Sequence, residues 1–166
     1  KISPSAQVRT IGGSATFGTS ADGTGSNAWF SGPRGMVIGS TGEVYLVDSN
    51  NNRISKGIPQ LPLLTTGTAS GVSSTSATLN GTVNPNGTIT TAVFQYGTTT
   101  SYGNTLIITL SPNDDLAAQN VSASVVSGLT PNTTYHFRLS AINGATGTAT
   151  STDGTFTTQP PAPDIL

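Results

Sequence analysis

From Ser127 to Asn143 the chain first turns and then alternates. Gly128-Leu129-Thr130-Pro131-Asn132 carries the turn chemistry, with Pro and Asn at its end. After it Tyr135, Phe137, Leu139 and Ala141 fall on one side, and His136, Arg138, Ser140 and Ile142 on the other. A period of two predicts a half-buried strand. The same pattern recurs upstream. Ser76–Val83 puts Ala77, Leu79, Gly81 and Val83 on one face, and Val121, Ala123 and Val125 alternate into the Leu129 turn. Thr91–Gly97 predicts a strand with Phe94 inward, Leu63–Val72 a first edge strand, and Leu106–Ile108 a short one. Thr148–Thr158 is expected to close the layer with Phe156 inward. Asn84-Pro85-Asn86-Gly87 is a strong turn, and Ser111–Gln119 a polar loop. About seven strands between Leu63 and Thr158 make a complete two-sheet sandwich.

Before Pro59 the rhythm differs. Val8-Arg9-Thr10-Ile11 reads as a short strand, followed by a Gly- and Ser-rich loop with Asp22-Gly23-Thr24-Gly25 at its tip. Asn27-Ala28-Trp29-Phe30 leads through Ser31-Gly32-Pro33 into a strand at Met36-Val37-Ile38. Gly39–Gly42 turns the chain into Glu43–Asp48, and Ser49–Asn52 turns it again into Arg53–Lys56. Short strands with a turn after each are the layout of a propeller blade. Gly57-Ile58-Pro59-Gln60-Leu61-Pro62 is a short, stiff junction. The predicted division is a blade region at 1–58, a Pro linker at 59–62, a sandwich at 63–158 and a Pro-rich tail at 159–166.

Composition supports an all-β chain, since Gly (20 residues), Thr, Ser and Asn dominate. Charged residues make up 8% and the net charge is −1, which gives no electrostatic reason to expect nucleic acid as a partner. The absence of cysteine removes disulfide staples, thiolate catalysis and Cys-based zinc sites. No apolar run is long enough to insert in a bilayer as a helix. Lys1-Ile2-Ser3-Pro4 has no apolar signal region, so the targeting segment of an exported protein is expected to have been removed or to lie outside this chain. An uncharged surface rich in Thr, Ser and Asn is associated with bacterial secreted proteins, and on that association the expected setting is extracellular or the cell surface.

Two family resemblances follow from the motifs. Leu129-x-Pro131-x-x-x-Tyr135, Gly81–Gly87, and Phe94-x-Tyr96-Gly97-Thr98-Thr99-x-x-Tyr102-Gly103 together resemble the fibronectin type III domain in the variant common in bacterial surface proteins. That resemblance implies an immunoglobulin-like sandwich whose corner tyrosine, Tyr135, bonds back to upstream backbone. It also implies that Phe94 fills the core place often held by Trp. Asp22-Gly23, Ala28-x-Phe30, Pro33-x-Gly35, Gly42-x-x-Tyr45-x-x-Asp48 and Asn51-x-Arg53-Ile54 resemble an NHL repeat, a blade of β-propellers. Gly39 stands where that family usually has Asp. The residues expected to carry structure are Leu79, Phe94, Leu129, Pro131, Tyr135 and Phe137. Closed propellers need roughly four to eight blades, and one is found here. Lys1–Pro4 resembles the tail of a preceding repeat.

Candidate chemistry is sparse. His136, the only histidine, is read as a surface residue beside Arg138. Asp114-Asp115, Asp22, Asp48 and Asp153 are read as turn-capping residues rather than calcium ligands. Asn80, Asn86, Asn120 and Asn132 each open a glycosylation pattern, as a chain rich in Asn, Thr and Ser does by chance. Trp29, Tyr45 and Tyr102 could stack on sugars, with burial the commoner fate of such rings. No catalytic residue, metal or cofactor is expected. The sequence favours a non-enzymatic extracellular structural or adhesive module assembling head-to-tail into a fibre or surface layer, with a homo-oligomer, a polymer or another cell-surface protein as partner. The alternative is a C-terminal fragment of a larger cell-surface propeller protein that binds glycan or protein, the sandwich serving as spacer. Neither reading requires nucleic acid or membrane insertion.

Overall fold

The computed structural model describes residues 12–13, 21–23, 27–40, 42–125, 127–143 and 147–163. The chain divides into two compact units, 1–60 and 61–166. The predicted strand at Val8–Ile11, the resemblance at Lys1–Pro4 and the tail end Asp164-Ile165-Leu166 lie outside the described residues.

In the first unit three strands form one antiparallel sheet in the order β1 (Pro33–Ile38), β2 (Val44–Asp48) and β3 (Arg53–Gly57). β1 and β2 are joined by a turn in which Gly39 N–H donates to the Glu43 carbonyl at 2.8 Å. Between β2 and β3 runs a single 3-10 turn, Ser49–Asn51, closed by Asn52 at φ 50°. Asn tolerates that left-handed conformation because its short polar side chain bonds locally. An isolated bridge pairs Ala21 with Trp29.

In the second unit, β4 (Leu63–Thr66), β5 (Ala77–Asn84) and β8 (Gln119–Val125) form one sheet in the order β4-β5-β8. The facing sheet runs β10 (Gly147–Thr150), β9 (Thr134–Asn143), β6 (Thr90–Gly97), β7 (Asn104–Ile108), with β11 (Gly154–Thr157) also pairing β9. This is a fibronectin-like sandwich of all-antiparallel strands. β5 alternates strictly between buried and half-buried positions, so Ala77, Leu79, Gly81 and Val83 face inward. β9 does the same for Tyr135, Phe137, Leu139 and Ala141, while Ile142 is exposed on the outer side. The core is one cluster in which Phe94, Phe137 and Phe156 meet, with ring centroids 6.4 Å and 6.0 Å apart. Burying each such ring stabilises the fold by roughly 1.5–3 kcal/mol.

Two glycines are required by close approach. A Cβ on Gly81 would lie 2.6 Å from both Leu139 Cδ1 and the Thr65 carbonyl. One on Gly97 would collide with the Tyr102 carbonyl. Asn86 and Gly87 both have positive φ, the signature of a type I′ turn between β5 and β6.

Two edges differ from the sequence expectation. Leu63–Val72 is not one strand: β4 ends at Thr66, and only an isolated bridge from Ser70 to Thr78 continues it. The closing segment Thr148–Thr158 is split into β10 and β11 by Ser151–Asp153. The cause is side-chain competition for the ladder. Ser151 Oγ accepts the Leu139 N–H at 2.8 Å, and Thr66 Oγ1 donates to the Thr152 carbonyl at 2.6 Å. Counted as one interrupted strand, β10 and β11 complete a seven-stranded sandwich.

Candidate interaction surface

The blade turn is built around one carboxylate. Asp48 is fully buried, and its oxygens accept from Ser31 N at 2.6 Å, Asn51 Nδ2 at 2.9 Å and Arg53 Nε at 3.1 Å. Arg53 also reaches Asp22, 3.2 Å from Nη1 to Oδ1. The motif residues Asp48, Asn51 and Arg53 thus form one local network that fixes the β2–β3 turn and ties it to the start of β1. Burial works to raise the Asp48 pKa, and the hydrogen bonds from Asn51, Ser31 and Arg53 with the Arg53 charge outweigh it, holding the carboxyl below its usual value.

On this turn stands a sheet with no second layer beside it among the described residues. Register and alternation put Met36, Ile38, Val44 and Leu46 on one face and Val37, Tyr45, Val47 and Ile54 on the other. Every residue of β1 is exposed. Met36 is 66% and Ile38 63% exposed on the first face, and Val37 63% and Ile54 69% on the second. Lys56 folds over the Tyr45 ring, 5.5 Å from its centroid, and pairs with Glu43 at 3.4 Å. Hydrogen bonding with Tyr45, then with Glu43, raises the Lys56 pKa. Ser55 stands beside Leu46 on the first face, where Val44 and Leu46 are half-buried, and the large apolar side chains exposed on the sheet are Met36, Val37, Ile38, Val47 and Ile54. Such surface is what protein contacts cover.

The sandwich carries its polar chemistry elsewhere. His136 is half-buried, with Nδ1 2.7 Å from Asp153 Oδ2. Tyr102 donates its phenol to Asp153 Oδ1 at 3.0 Å, and Arg138 lies over the Tyr102 ring at 4.5 Å with Nε donating to Gln95 Oε1. Burial first, then the Asp153 hydrogen bond and charge, push the Tyr102 phenol above its usual range. The group clasps the β6–β7 turn to the break between β10 and β11. Tyr102 is buried, so its ring is packed rather than offered to a sugar; Trp29 and Tyr45 are half-buried. No group of three metal-ligating side chains occurs among the described residues.

The residues expected to carry structure are placed as follows. Leu79, Phe94, Leu129, Tyr135 and Phe137 are buried in the single core cluster, and Pro131 is half-buried. Thr130 N–H donates to the Tyr135 phenol oxygen at 3.0 Å. Asp115 Oδ1 accepts from Leu116 N at 2.7 Å, and Asp114 is buried. Of the four glycosylation patterns, Asn80 and Asn86 spend their side-chain amides on the Thr68 and Leu61 carbonyls, whereas Asn120 and Asn132 are exposed. The His136–Asp153–Tyr102 clasp was missed in the sequence, since its members lie far apart along the chain.

Residues 30–56 match the NHL repeat. No curated protein matches the chain. Among solved structures, the sensor domain of the anti-sigma factor RsgI4 of Pseudobacteroides cellulosolvens is 24% identical, covering 61% of this chain and 97% of that one at a TM-score of 0.46. The fibronectin type III domain of the human KIAA0970 protein is 18% identical, covering 61% and 77% at a TM-score of 0.41. That of human fibronectin type III domain containing protein 3 is 22% identical, covering 64% and 92% at a TM-score of 0.38. The chain thus carries a stretch that matches the NHL repeat at 30–56, followed by a two-sheet antiparallel sandwich similar in fold to fibronectin type III domains.

Proposed function

We propose that this chain is a non-enzymatic structural or adhesive module of the cell exterior that assembles through its blade, each copy covering the next one's bare blade face. The observation that carries the reading is the exposure of Met36 and Ile38 on one face of the β1–β2–β3 sheet and of Val37 and Ile54 on the other. A blade is apolar on both faces because each face packs on a neighbour. Because the two faces differ, a face-to-opposite-face contact is heterologous, and it builds an open fibre unless the rotation closes a ring. The coarser statement, a protein-interaction module, is supported by the pairing of an NHL repeat with a sandwich whose own core is complete. The extracellular setting rests on composition, and the non-enzymatic reading on the clasp around His136, whose hydrogen bond to Asp153 and that of Tyr102 to the same carboxylate tie two loops together.

A second reading is favoured by the match to a single repeat, since such repeats come in arrays. In it the bare faces pack on further blades of a longer cell-surface protein that binds glycan or protein, and the sandwich is a spacer. Negative-stain imaging of the purified chain tests the first reading: fibres or layers are expected, and isolated small particles at every concentration would overturn it. Several NHL-like repeats encoded immediately upstream would favour the second.

A further inference from the structure

Among the described residues the sandwich has four edge strands, counting β10 and β11 as one, and they are not equally guarded. A strand edge leaves backbone N–H and C=O groups free to pair with another chain, and proteins blunt such edges with charge, proline, bulges or brevity. β4 is four residues long, preceded by Pro62 and followed by Gly67. The opposite edge of the other sheet is broken between β10 and β11 and carries Asp153 at the break. β8 has no charge, but its outward residues Asn120, Ser122 and Ser124 are all polar, so pairing there would bury no apolar side chain.

β7 is also short, at five residues, but it has neither charge, proline nor bulge to guard it. Asn104-Thr105-Leu106-Ile107-Ile108-Thr109 contains no charge, proline or glycine, and β-branched residues fill most of it. Among the described residues it pairs only with β6, and its other side borders an open groove that it lines with β8. Ile107 is 86% exposed on the outer face, with Val93 of β6 as its cross-strand neighbour.

The residues also read nearly the same in both directions about Ile107. Antiparallel pairing of β7 with another β7, centred there, sets Thr105 opposite Thr109, Leu106 opposite Ile108, and Ile107 opposite its own copy. Thr–Thr and β-branched pairs are favourable cross-strand partners, and no like charges meet. We infer that the free edge of β7 is a docking site for the same strand of a second copy, giving a two-fold, isologous dimer with a sheet continuous across both sandwiches. This contact is independent of the blade. A strand pair this short lies below the roughly 1,200 Å² of stable complexes, so the dimer is weak and forms at high chain concentration.

The chain has no cysteine, so one introduced thiol is unique. Residues directly opposite in an antiparallel pair have Cα atoms about 4.5–5.5 Å apart, within disulfide reach. Under mild oxidation the full chain with Ile107→Cys is expected to become mainly a disulfide-linked dimer, whereas Ile142→Cys, on the same outer face but on interior strand β9, stays monomeric on a non-reducing gel. Adding Val37→Asp and Ile54→Asp to the blade is expected to leave the cross-link in place. Ile107→Lys, which opposes two like charges, is expected to lower dimer association by about tenfold. The inference is overturned if Ile107→Cys cross-links no faster than Ile142→Cys, if the blade substitutions abolish the cross-link, or if Ile107→Lys leaves association unchanged.

Discussion

The two units are made of strands with similar apolar content and meet opposite fates. In the sandwich, β5 hides Ala77, Leu79, Gly81 and Val83 because a second sheet lies over them. In the blade, β1 presents Met36, Val37 and Ile38 side by side, and all three are exposed. A sheet buries its apolar face only against another layer. The sandwich supplies its own layer, with Phe94, Phe137 and Leu139 fully enclosed. The blade holds its shape through turn chemistry around Asp48 instead, and leaves its apolar faces for something else to cover. Truncating apolar residues should therefore cost stability in one unit and association in the other.

The largest effect expected is at the sandwich core. Phe137→Ala removes a ring that packs on both Phe94 and Phe156, and should cost about 3–5 kcal/mol in denaturant unfolding followed by far-ultraviolet circular dichroism. A loss under 1 kcal/mol would mean that the core is not closed around this residue. Next is the corner. Tyr135→Phe removes the acceptor of the Thr130 N–H and should cost about 1–2 kcal/mol with the fold retained.

The acid response of the blade comes third. Asp48 titrates below its usual value of 3.8 in the folded unit. Its contribution is complete above the unfolded value and is lost as pH falls through the lower folded value. Trp29, the one tryptophan, reports on this unit alone. Its fluorescence-detected unfolding midpoint should drop as pH falls below about 4, and Asp48→Asn should flatten that dependence. An unchanged acid limb in Asp48→Asn would show that another carboxylate sets it. Smallest in stability is Ile54→Ser, which exposes nothing new in the single chain and should shift blade unfolding by less than about 0.5 kcal/mol at low concentration while weakening association.

Much of the fold is written in one dimension. The alternation in Ala77–Val83 and Tyr135–Ala141 marks the inward faces directly, and Asn86-Gly87 marks its turn, because period and turn chemistry are local properties. What depends on distant partners is not legible in this way. The break between β10 and β11 is set by Ser151 reaching Leu139 and by Thr66 reaching Thr152, and nothing near Ser151 in sequence announces either contact. The clasp at His136 needs Asp153 and Tyr102 from other loops. The bareness of the blade is hidden for a related reason. Met36-Val37-Ile38 looks like any buried strand, and only the absence of a covering layer among the described residues tells it apart.

The central claim is that the blade faces are covered by another blade rather than by water. Sedimentation velocity of the chain over a range of concentrations tests it most directly. Species well above twice the 16.7 kDa of one chain, growing with concentration and collapsing to no more than a dimer in a Val37→Asp/Ile54→Asp variant whose sandwich remains folded, are the predicted result. A folded wild-type chain that sediments at 16.7 kDa at every concentration would contradict the account.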